Sequence, residues 1–427
     1  MCQLTEHTDL LNMEQTDLLL QGVAVVADIL IKELNHISKE TSNVKRKKER
    51  KKRSIWTREW ILRREKLGAS DNFLREVRME DKATYKNHLR LNGEQFDYLL
   101  QKVTTKIQRA DTVMRAALTA KIKLQIAMRY LATGDSFPSL ESSFRVPKST
   151  ISKFLPEVLD AIYEGLEEYI KIPKTTEEWT NISRVFDNRW NFPGCCGALD
   201  GKHVNIQQPI DSGSDFFNYK GYFSTVLLAL VDGDYCFTYI DVGSQGRLND
   251  ASIFSNSILK EKLEDGTLNF PSWGVILGDE AFPLKQYLMK PYSRRLTLTA
   301  EEKTFNYRLS RARRIVENAF GIMVSKFRIY RTPIYLCPDK VDKIVKATCA
   351  LHNWLMKTAM HYYAPVGTMD TDDRPGLWRQ EPSSNYIAHV VNQGSNHPSR
   401  LAEQRRINYK NYFIGEGSVP WQSSRIF

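Results

Sequence analysis

The feature that most constrains the fold of this chain is a series of short β-rich runs between residues 197 and 279. In order, they read GALDGKHVNI, STVLLALVD, YCFTYIDVG and WGVILGD. The first three are rich in β-branched and aromatic residues. The turn Asp232-Gly233-Asp234 separates the second from the third, which predicts a hairpin. Later apolar residues at helical spacing predict helices over 250–263, 284–289, 303–326 and 338–363. Strands and helices in this order predict an α/β layer.

The sequence around this layer predicts the domain organisation. Before the strands, apolar residues recur at three- and four-residue spacing, which predicts an all-helical region. The order of the strands and the later helices is that of the RNase H-like fold. The predicted regions are an N-terminal helix and basic linker (1–55), a helical, helix-turn-helix-like region (56–180), an RNase H-like domain (181–363) and a polar, flexible C-terminal tail (364–427).

One part of the helical region has the pattern of a helix-turn-helix. An amphipathic helix from Lys121 to Thr133 is followed by a turn, a short helix near Leu140 and a third helix that opens at Pro147. Side chains in the first turns of the third helix could reach phosphates and base edges in a major groove. The predicted DNA contacts are Lys148, Ser149 and Lys153. A helical subdomain that only packs against its neighbours remains an equal alternative.

The charge of the chain favours a polyanionic partner. It carries 61 Lys+Arg against 50 Asp+Glu, a formal net charge of +11, and its pI is about 9.2. A basic run, KRKKERKKR, occupies Lys45–Arg53. Its first residues, Lys45, Arg46, Lys47 and Lys48, are predicted to act in nuclear import. We therefore expect DNA as the partner and the nucleus as the location, with the cytoplasm as an alternative.

Other sequence features exclude some classes of protein. The six cysteines include no CxxC pair, which argues against a disulfide framework and a zinc finger. The apolar stretch from Leu18 to Ile31 is interrupted by Gln21 and Asp28 and is too short to span a bilayer. We interpret this stretch as an amphipathic helix and expect no membrane association.

Four acidic residues lie where strands or helices would direct them to one place. Asp200 lies inside the first apolar strand, where an unpaired charge is costly. Gly201, next to it, permits the close approach of another group. Asp279 ends the fourth strand, which neighbours the first in the predicted fold. Asp250 heads the helix after the third strand, and Glu317 lies at the border of a buried helical stripe.

Such a cluster suits metal-dependent cleavage of a phosphodiester bond. Two Mg²⁺ or Mn²⁺ ions about 3.5–4 Å apart can stabilise the attacking and the leaving oxygen, and such hard cations prefer carboxylate ligands. Each acid also has a simpler interpretation. Asp250 could be a helix N-cap, and Asp279 a turn residue. Glu317 could form only a salt bridge with Arg313 or Arg314.

At these residues the sequence resembles the PIF/Harbinger superfamily of DDE transposases and Harbinger-transposase-derived nucleases. The resemblance extends over most of residues 190–356. It is carried in order by GALDGKHV, NYKGYFSTVLLALVDGDYCFTYIDVGSQGRLNDASIF, GDEAFPLKQYLMKPY, FNYRLSRARRIVENAFGIMVSKFR and ALHNWL. It implies a DDE nuclease domain of the RNase H-like fold, a divalent metal cofactor (Mg²⁺ or Mn²⁺), DNA as substrate, a separate Myb-like DNA-binding partner protein, and a homo-oligomer as a further expectation.

The resemblance also implies roles for individual residues. The catalytic set would be Asp200, Asp279 and Glu317, and Asp250 would complete the metal ligands. Either Asp250 or Asp279 could be the second member of the triad, and we prefer Asp279 because the fourth strand adjoins the first. Arg313, one helical turn before Glu317, would hold a DNA phosphate.

The chain departs from the family pattern at two positions. The family often has Arg after the glutamate and Lys seven positions on, where this chain has Asn318 and Val324, although Lys326 could substitute in part. These losses would weaken the grip on DNA rather than metal binding. Two alternatives therefore stay open: a domesticated DNA- or chromatin-binding protein that no longer cuts, and an RNase of the same fold.

Overall fold

The computed structural model describes residues 26–34, 57–113, 116–293, 297–380 and 398–426. The chain divides into two compact units, Met1–Arg58 and Glu59–Phe427. In the first unit, residues 26–34 are helical, within the predicted N-terminal region. The basic run at Lys45–Arg53 lies outside the described residues. The sheet and all helices named below belong to the second unit.

Residues 59–190 are helical, in agreement with the sequence pattern. The helices described there are α1 (Glu59–Leu62), α2 (Arg64–Leu67), α3 (Phe73–Glu80), α4 (Lys82–Leu89), α5 (Gly93–Ile107), α6 (Ala120–Thr133), α7 (Phe137–Phe144), α8 (Lys148–Gly165) and α9 (Thr176–Trp190). Most begin with a side chain that accepts a hydrogen bond from the first turn. Thr119 caps α6, Ser136 caps α7, and Asn92 and Thr175 form capping boxes on α5 and α9.

The sheet in the described part of the chain has five strands in the order β3-β2-β1-β4-β5. They are β1 (Cys195–Asn205), β2 (Ser224–Val231), β3 (Phe237–Gln245), β4 (Val275–Leu277) and β5 (Leu288–Met289). The first three strands are antiparallel neighbours, whereas β4 runs parallel to β1 and β5 runs parallel to β4. The β2–β3 hairpin is confirmed: Oδ1 of Asp232 accepts hydrogen bonds from the backbone N–H groups of Asp234 and Cys236, both at 2.9 Å.

One helix prediction is wrong. Residues 284–289 were expected to be helical, but Leu288 and Met289 form β5. The reason is that backbone N–H groups of β4 and of Gly278, which follows it, form hydrogen bonds with the backbone of residues 287–289. The N–H of Ile276 donates to the carbonyl of Tyr287 at 2.7 Å, and the N–H of Gly278 donates to that of Met289 at 2.9 Å. Pairing with the sheet overrides the local apolar spacing.

Helices cover both faces of the sheet. They are α10 (Asp250–Ser255), α11 (Ile258–Glu264), α12 (Ala300–Lys326) and α13 (Pro338–Tyr363). Successive side chains of a strand alternate between faces. Leu227, Ala229 and Val231 accordingly join a core with α12 and α13, and Val226, Leu228 and Leu230 join a second core with α10 and α11. The first core also contains residues of the preceding helical region, so the two regions share one hydrophobic cluster.

The described residues after 364 differ from the expected flexible tail. They include α14 (Arg400–Ile414) and α15 (Gln422–Ile426). Ala402 and Phe413 of α14 are fully buried, and Phe413 packs against Phe192 and Phe305. These few apolar residues anchor a segment whose average composition is polar. The helices in the described ranges lack the length and apolar character needed to cross a membrane.

Candidate metal centre

Two of the predicted carboxylates lie at the same end of adjacent parallel strands. In the register of β1 and β4, Ala198 is opposite Leu277. Asp200 and Asp279 each follow two residues later, so both reach the same edge of the sheet. Asp200 is fully buried, Asp279 is partly exposed, and its Oδ1 accepts a hydrogen bond from the N–H of Ala281 at 2.9 Å.

The third carboxylate, Asp250, reaches this edge from the opposite face of the sheet. Asp200 lies on the same face of β1 as Ala198 and Val204, which pack in the core that contains α12. Gly201 points the other way, toward α10, which begins with Asp250. A Cβ at Gly201 would lie 2.8 Å from Cγ of Asp250 and would overlap its Oδ1. The glycine therefore provides the space that the carboxylate occupies.

Asp250 is not the N-cap of its helix. Asn249 has that role, and its side chain accepts a hydrogen bond from the N–H of Ser252 at 2.8 Å. The carboxylate of Asp250 is fully buried, and neither of its oxygens has a hydrogen-bond partner among the described residues. Burial raises the pKa of Asp250 well above its usual range, and the negative charges of Asp200 and Asp279 raise it further.

The three aspartates form one cluster. Each offers a carboxylate oxygen, and these atoms all lie within 4.8 Å of one another. Oxygen ligands of divalent cations lie about 2.0–2.6 Å from the ion, so two ligands of one ion are separated by roughly 5 Å or less. The donor type, the spacing and the unsatisfied oxygens of Asp250 therefore all fit a hard divalent cation.

The structure does not place Glu317 in this cluster. Arg313 lies between them: its Nη2 donates to Oε1 of Glu317 at 2.7 Å, and its Nη1 lies 3.6 Å from Oδ1 of Asp200. The salt bridge considered from the sequence is thus present. Arg313 is largely buried, and its Nη1 has no hydrogen-bond partner within the described ranges. Arg313, which was expected to hold a phosphate, therefore forms ion pairs with both Glu317 and Asp200.

Sequence interpretation did not single out Lys202, which is also buried at this site. It follows Asp200 by two residues, lies on the same face of β1, and places its Nζ 5.6 Å from the ring centre of Phe320. Burial lowers the pKa of Lys202 to about 8, although the charges of Asp200 and Glu317 oppose this effect. The i, i+2 spacing of two charged residues in an apolar strand was the signal that could have identified it.

The helix-turn-helix candidates lie in the helical region of the same unit. Helices α6, α7 and α8 follow one another as predicted, although α8 begins at Lys148 and Pro147 is its N-cap. Lys148, Ser149 and Lys153 are exposed, whereas Ile151 and Phe154 are buried on the other side of α8. The three polar side chains are accessible to a large partner, and DNA binding by them stays a prediction.

Comparisons with known proteins agree with this geometry. A family model described as DDE superfamily endonuclease matches residues 199–353, a range that includes all four acids. A protein named ALP1-like from Arabidopsis thaliana is 26% identical over 291 residues, which cover 64% of this chain and 70% of that protein. The protein named Putative nuclease HARBI1 from Homo sapiens is 23% identical over 292 residues, which cover 68% of this chain and 80% of that protein.

A third relative and a search of solved structures complete the comparison. The protein named Antagonist of Like Heterochromatin Protein 1 from Arabidopsis thaliana is 25% identical over 249 residues, which cover 55% of this chain and 62% of that protein. No solved structure matches the chain significantly. Residues 199–353 match the DDE superfamily of endonucleases, and the motifs and these relatives show that the chain is similar to the PIF/Harbinger superfamily of DDE transposases and transposase-derived nucleases.

Proposed function

We propose that this protein is a metal-dependent DNA endonuclease, either a transposase or a nuclease derived from one. The observation that carries the proposal is the cluster of Asp200, Asp250 and Asp279, whose oxygens lie within 4.8 Å of one another. The two buried oxygens of Asp250 are unsatisfied among the described residues, a costly arrangement unless a cation binds there. The endonuclease family match and the nuclease name of a relative support the same activity.

We also propose that the catalytic domain has the RNase H-like fold. The strand order β3-β2-β1-β4-β5, with three antiparallel strands followed by two parallel ones, supports this assignment. The position of two acids at the ends of the neighbouring strands β1 and β4 supports it as well. In this proposal Asp279 is the second member of the triad, and Asp250 is an additional ligand.

The proposed mechanism assigns a task to each side chain. Asp200, Asp250 and Asp279, with Glu317 as a fourth side chain, would hold Mg²⁺ or Mn²⁺. When bound, the metal would stabilise negative charge on the attacking and leaving oxygens of the phosphodiester. Asp200, Asp279 and Glu317 are the proposed catalytic residues.

The basic residues at the site have a complementary task. Nη1 of Arg313 is buried without a hydrogen bond from the described residues, so it can donate to a phosphate oxygen once the substrate lies against the acids. The buried ammonium of Lys202 opposes the negative charge of the cluster from the same face of β1. These two cations would help a phosphate, itself an anion, to approach a group of carboxylates.

Partner and location are part of the proposal. We propose DNA contacts by Lys148, Ser149 and Lys153 at the exposed start of α8, and nuclear import through the Lys45–Lys48 run. A Myb-like partner protein and self-association are proposed from the family resemblance. The net charge of +11 supports a polyanionic partner.

The decisive experiment is a cleavage assay on supercoiled plasmid and oligonucleotide duplexes with Mg²⁺, Mn²⁺ or EDTA. We expect cleavage only with metal, and its loss in Asp200→Ala and Asp250→Asn. Glu261→Gln, which removes an exposed acid on α11, is the matched control. Equal cleavage by wild type and Asp200→Ala would refute the proposed site. Cutting of a matched RNA duplex in preference to DNA would identify an RNase instead.

The second candidate function is binding to DNA or chromatin without cleavage. The name of one relative from Arabidopsis thaliana, Antagonist of Like Heterochromatin Protein 1, favours this second function. Retention of all four acids favours the nuclease. In the same assay, a protein that shifts DNA on a native gel but cuts none of it with either metal would have the second function.

A further inference from the structure

Residues 364–380, which follow α13, lie along α12 beside the candidate metal centre. We name this segment the C-terminal strap. Its Asp372 accepts two hydrogen bonds from Nε of Arg311, at 2.9 and 3.0 Å. The backbone carbonyl of Thr371 accepts one from Nη1 of Arg314, also at 3.0 Å. The basic residues of α12 that flank Arg313 are thus engaged by the strap.

Two residues of α12 are adapted to receive the strap. Oδ1 of the fully buried Asn318 accepts hydrogen bonds from the N–H of Asp370 at 3.0 Å and from Nε1 of Trp378 at 2.8 Å. A Cβ at Gly321 would overlap the indole of Trp378, so the glycine allows that ring to lie against the helix. Asn318 is one of the two departures from the family pattern, and here it anchors the strap.

The strap brings a guanidinium group to Glu317. Nε of Arg379 donates to both oxygens of Asp370, at 2.9 and 2.8 Å, and its Nη2 donates to Oδ2 of Asp370 at 2.6 Å. The same Nη2 lies 3.3 Å from Oε2 of Glu317. Asp370 is only 4% exposed, which fixes the orientation of the pair. The two oxygens of Glu317 therefore face different arginines, Arg313 inside the site and Arg379 on the strap.

We propose that the C-terminal strap positions Glu317 for catalysis, with Arg379 as the positioning residue and Asp370 as the group that aligns it. The inference rests on the proposed nuclease function. A glutamate side chain has three torsions, so contacts on both carboxylate oxygens restrict it more than a contact on one oxygen does. Arg313 supplies one of them and is shared with Asp200. Arg379 supplies the other from a segment about sixty residues later in the chain.

The first test measures metal binding without DNA. Calorimetric titration of the full-length protein with Mn²⁺ should give a dissociation constant about 10-fold higher for Arg379→Gln, because residues that orient a ligating carboxylate typically contribute this much. Arg374→Gln removes an exposed charge from the same strap and should bind Mn²⁺ like wild type. Arg379→Lys should recover only part of the affinity, since lysine cannot reproduce the two-pronged contact with Asp370.

Hydrogen exchange distinguishes a role of Arg379 in positioning Glu317 from a role in folding the C-terminal strap. The N–H groups of Asp370 and Gly376 are hydrogen-bonded to Asn318 and Asp370, so strap peptides should exchange slowly in wild type. Arg379→Gln should leave this protection unchanged, while Asn318→Ala should remove it. If Arg379→Gln binds Mn²⁺ as tightly as wild type while strap protection is unchanged, the inference is refuted. If protection collapses in Arg379→Gln, Arg379 has a structural role and the positioning claim also fails.

Cleavage kinetics complete the test. Asp370→Asn and Arg379→Gln should each lower the single-turnover cleavage rate about 10-fold or more with unchanged DNA affinity. The double variant should be no slower than either, because Asp370 acts through Arg379. Full activity in both variants, beside an inactive Asp200→Ala, would reject the strap and leave the nuclease intact. A wild type that neither binds Mn²⁺ nor cuts DNA would reject both proposals.

Discussion

At the residue scale, the most informative pair is Gly201 and Asp250. Gly201 has no side chain, and the carboxylate of Asp250 occupies the resulting space, close to the carboxylates of Asp200 and Asp279. Three neighbouring carboxylates, two of them fully buried, together destabilise the folded state when no cation is present. This combination of local instability and geometric order is typical of sites whose ligand supplies the missing interaction.

Asp250→Asn should therefore have opposite effects with and without metal. In EDTA, the variant should be more stable than wild type, because the neutral amide avoids the cost of ionising a buried carboxyl beside two other acids. With millimolar Mn²⁺, wild type should gain stability and the variant should gain little. Thermal unfolding in both buffers checks this, with Glu261→Gln as control. A variant less stable than wild type in EDTA would contradict it.

At the element scale, α12 connects the site to the C-terminal part of the chain. Its Arg313 and Glu317 face the aspartates, whereas Arg308 contacts the C-terminal helices. Nη1 of Arg308 donates to the carbonyl of Gly417 and to Oε1 of Gln422, both at 2.9 Å, and the guanidinium lies 4.4 Å from the ring centre of Phe413. A segment of polar composition is thus held by one buried arginine and one buried aromatic residue.

Arg308→Met should destabilise the protein by about 3 kcal/mol, because it leaves buried acceptors without their donor. Hydrogen exchange in peptides of α14 and α15 should speed up at the same time. Arg400→Met, at an exposed position at the start of α14, is the control. Unchanged urea unfolding of Arg308→Met would show that its hydrogen bonds do not anchor these helices.

A separate prediction concerns DNA binding by the exposed residues at the start of α8. Replacement of Lys148 and Lys153 by Gln should weaken binding to duplexes of any sequence and reduce the salt dependence of the binding constant by about one unit of slope per lysine. Fluorescence anisotropy over a range of KCl concentrations measures both effects. Lys262→Gln on α11 is the control. An unchanged slope would favour a helical subdomain that only packs.

At the scale of the whole molecule, one hydrophobic cluster joins the helical region, the sheet and the C-terminal helices. His352 of α13 lies in it, fully buried. One ring nitrogen lies 2.9 Å from the carbonyl of Tyr235, and the other lies 3.0 Å from the hydroxyl of Tyr363. Burial lowers the pKa of His352 to about 4, so the ring is neutral in the folded protein at neutral pH.

This histidine should make the protein less stable in mild acid. Between pH 6.5 and about 4, the unfolded chain binds a proton at this position and the folded protein does not, so stability decreases as pH falls. The contribution is about 2 kcal/mol between pH 7 and pH 5. The decrease should be smaller in His352→Gln when urea unfolding is compared at both values. Identical decreases in the two proteins would contradict the assignment.

Local sequence patterns determined much of the fold and part of the site. Alternating and continuous apolar runs predicted four of the strands, the turn at Asp232–Asp234 and the helix over 338–363, because strand and helix periods are properties of neighbouring residues. Asp200 and Asp279 could be expected to meet because parallel neighbouring strands end at the same edge.

Only the tertiary structure decided the rest. It separated Glu317 from the three aspartates by Arg313, gave Gly201 its role beside Asp250, turned residues 288–289 into a strand, and brought Arg379 to the site from the C-terminal strap. Each of these features depends on contacts between residues far apart in the chain. Local periodicity carries no information about which distant partner will supply a hydrogen bond, a charge or a space.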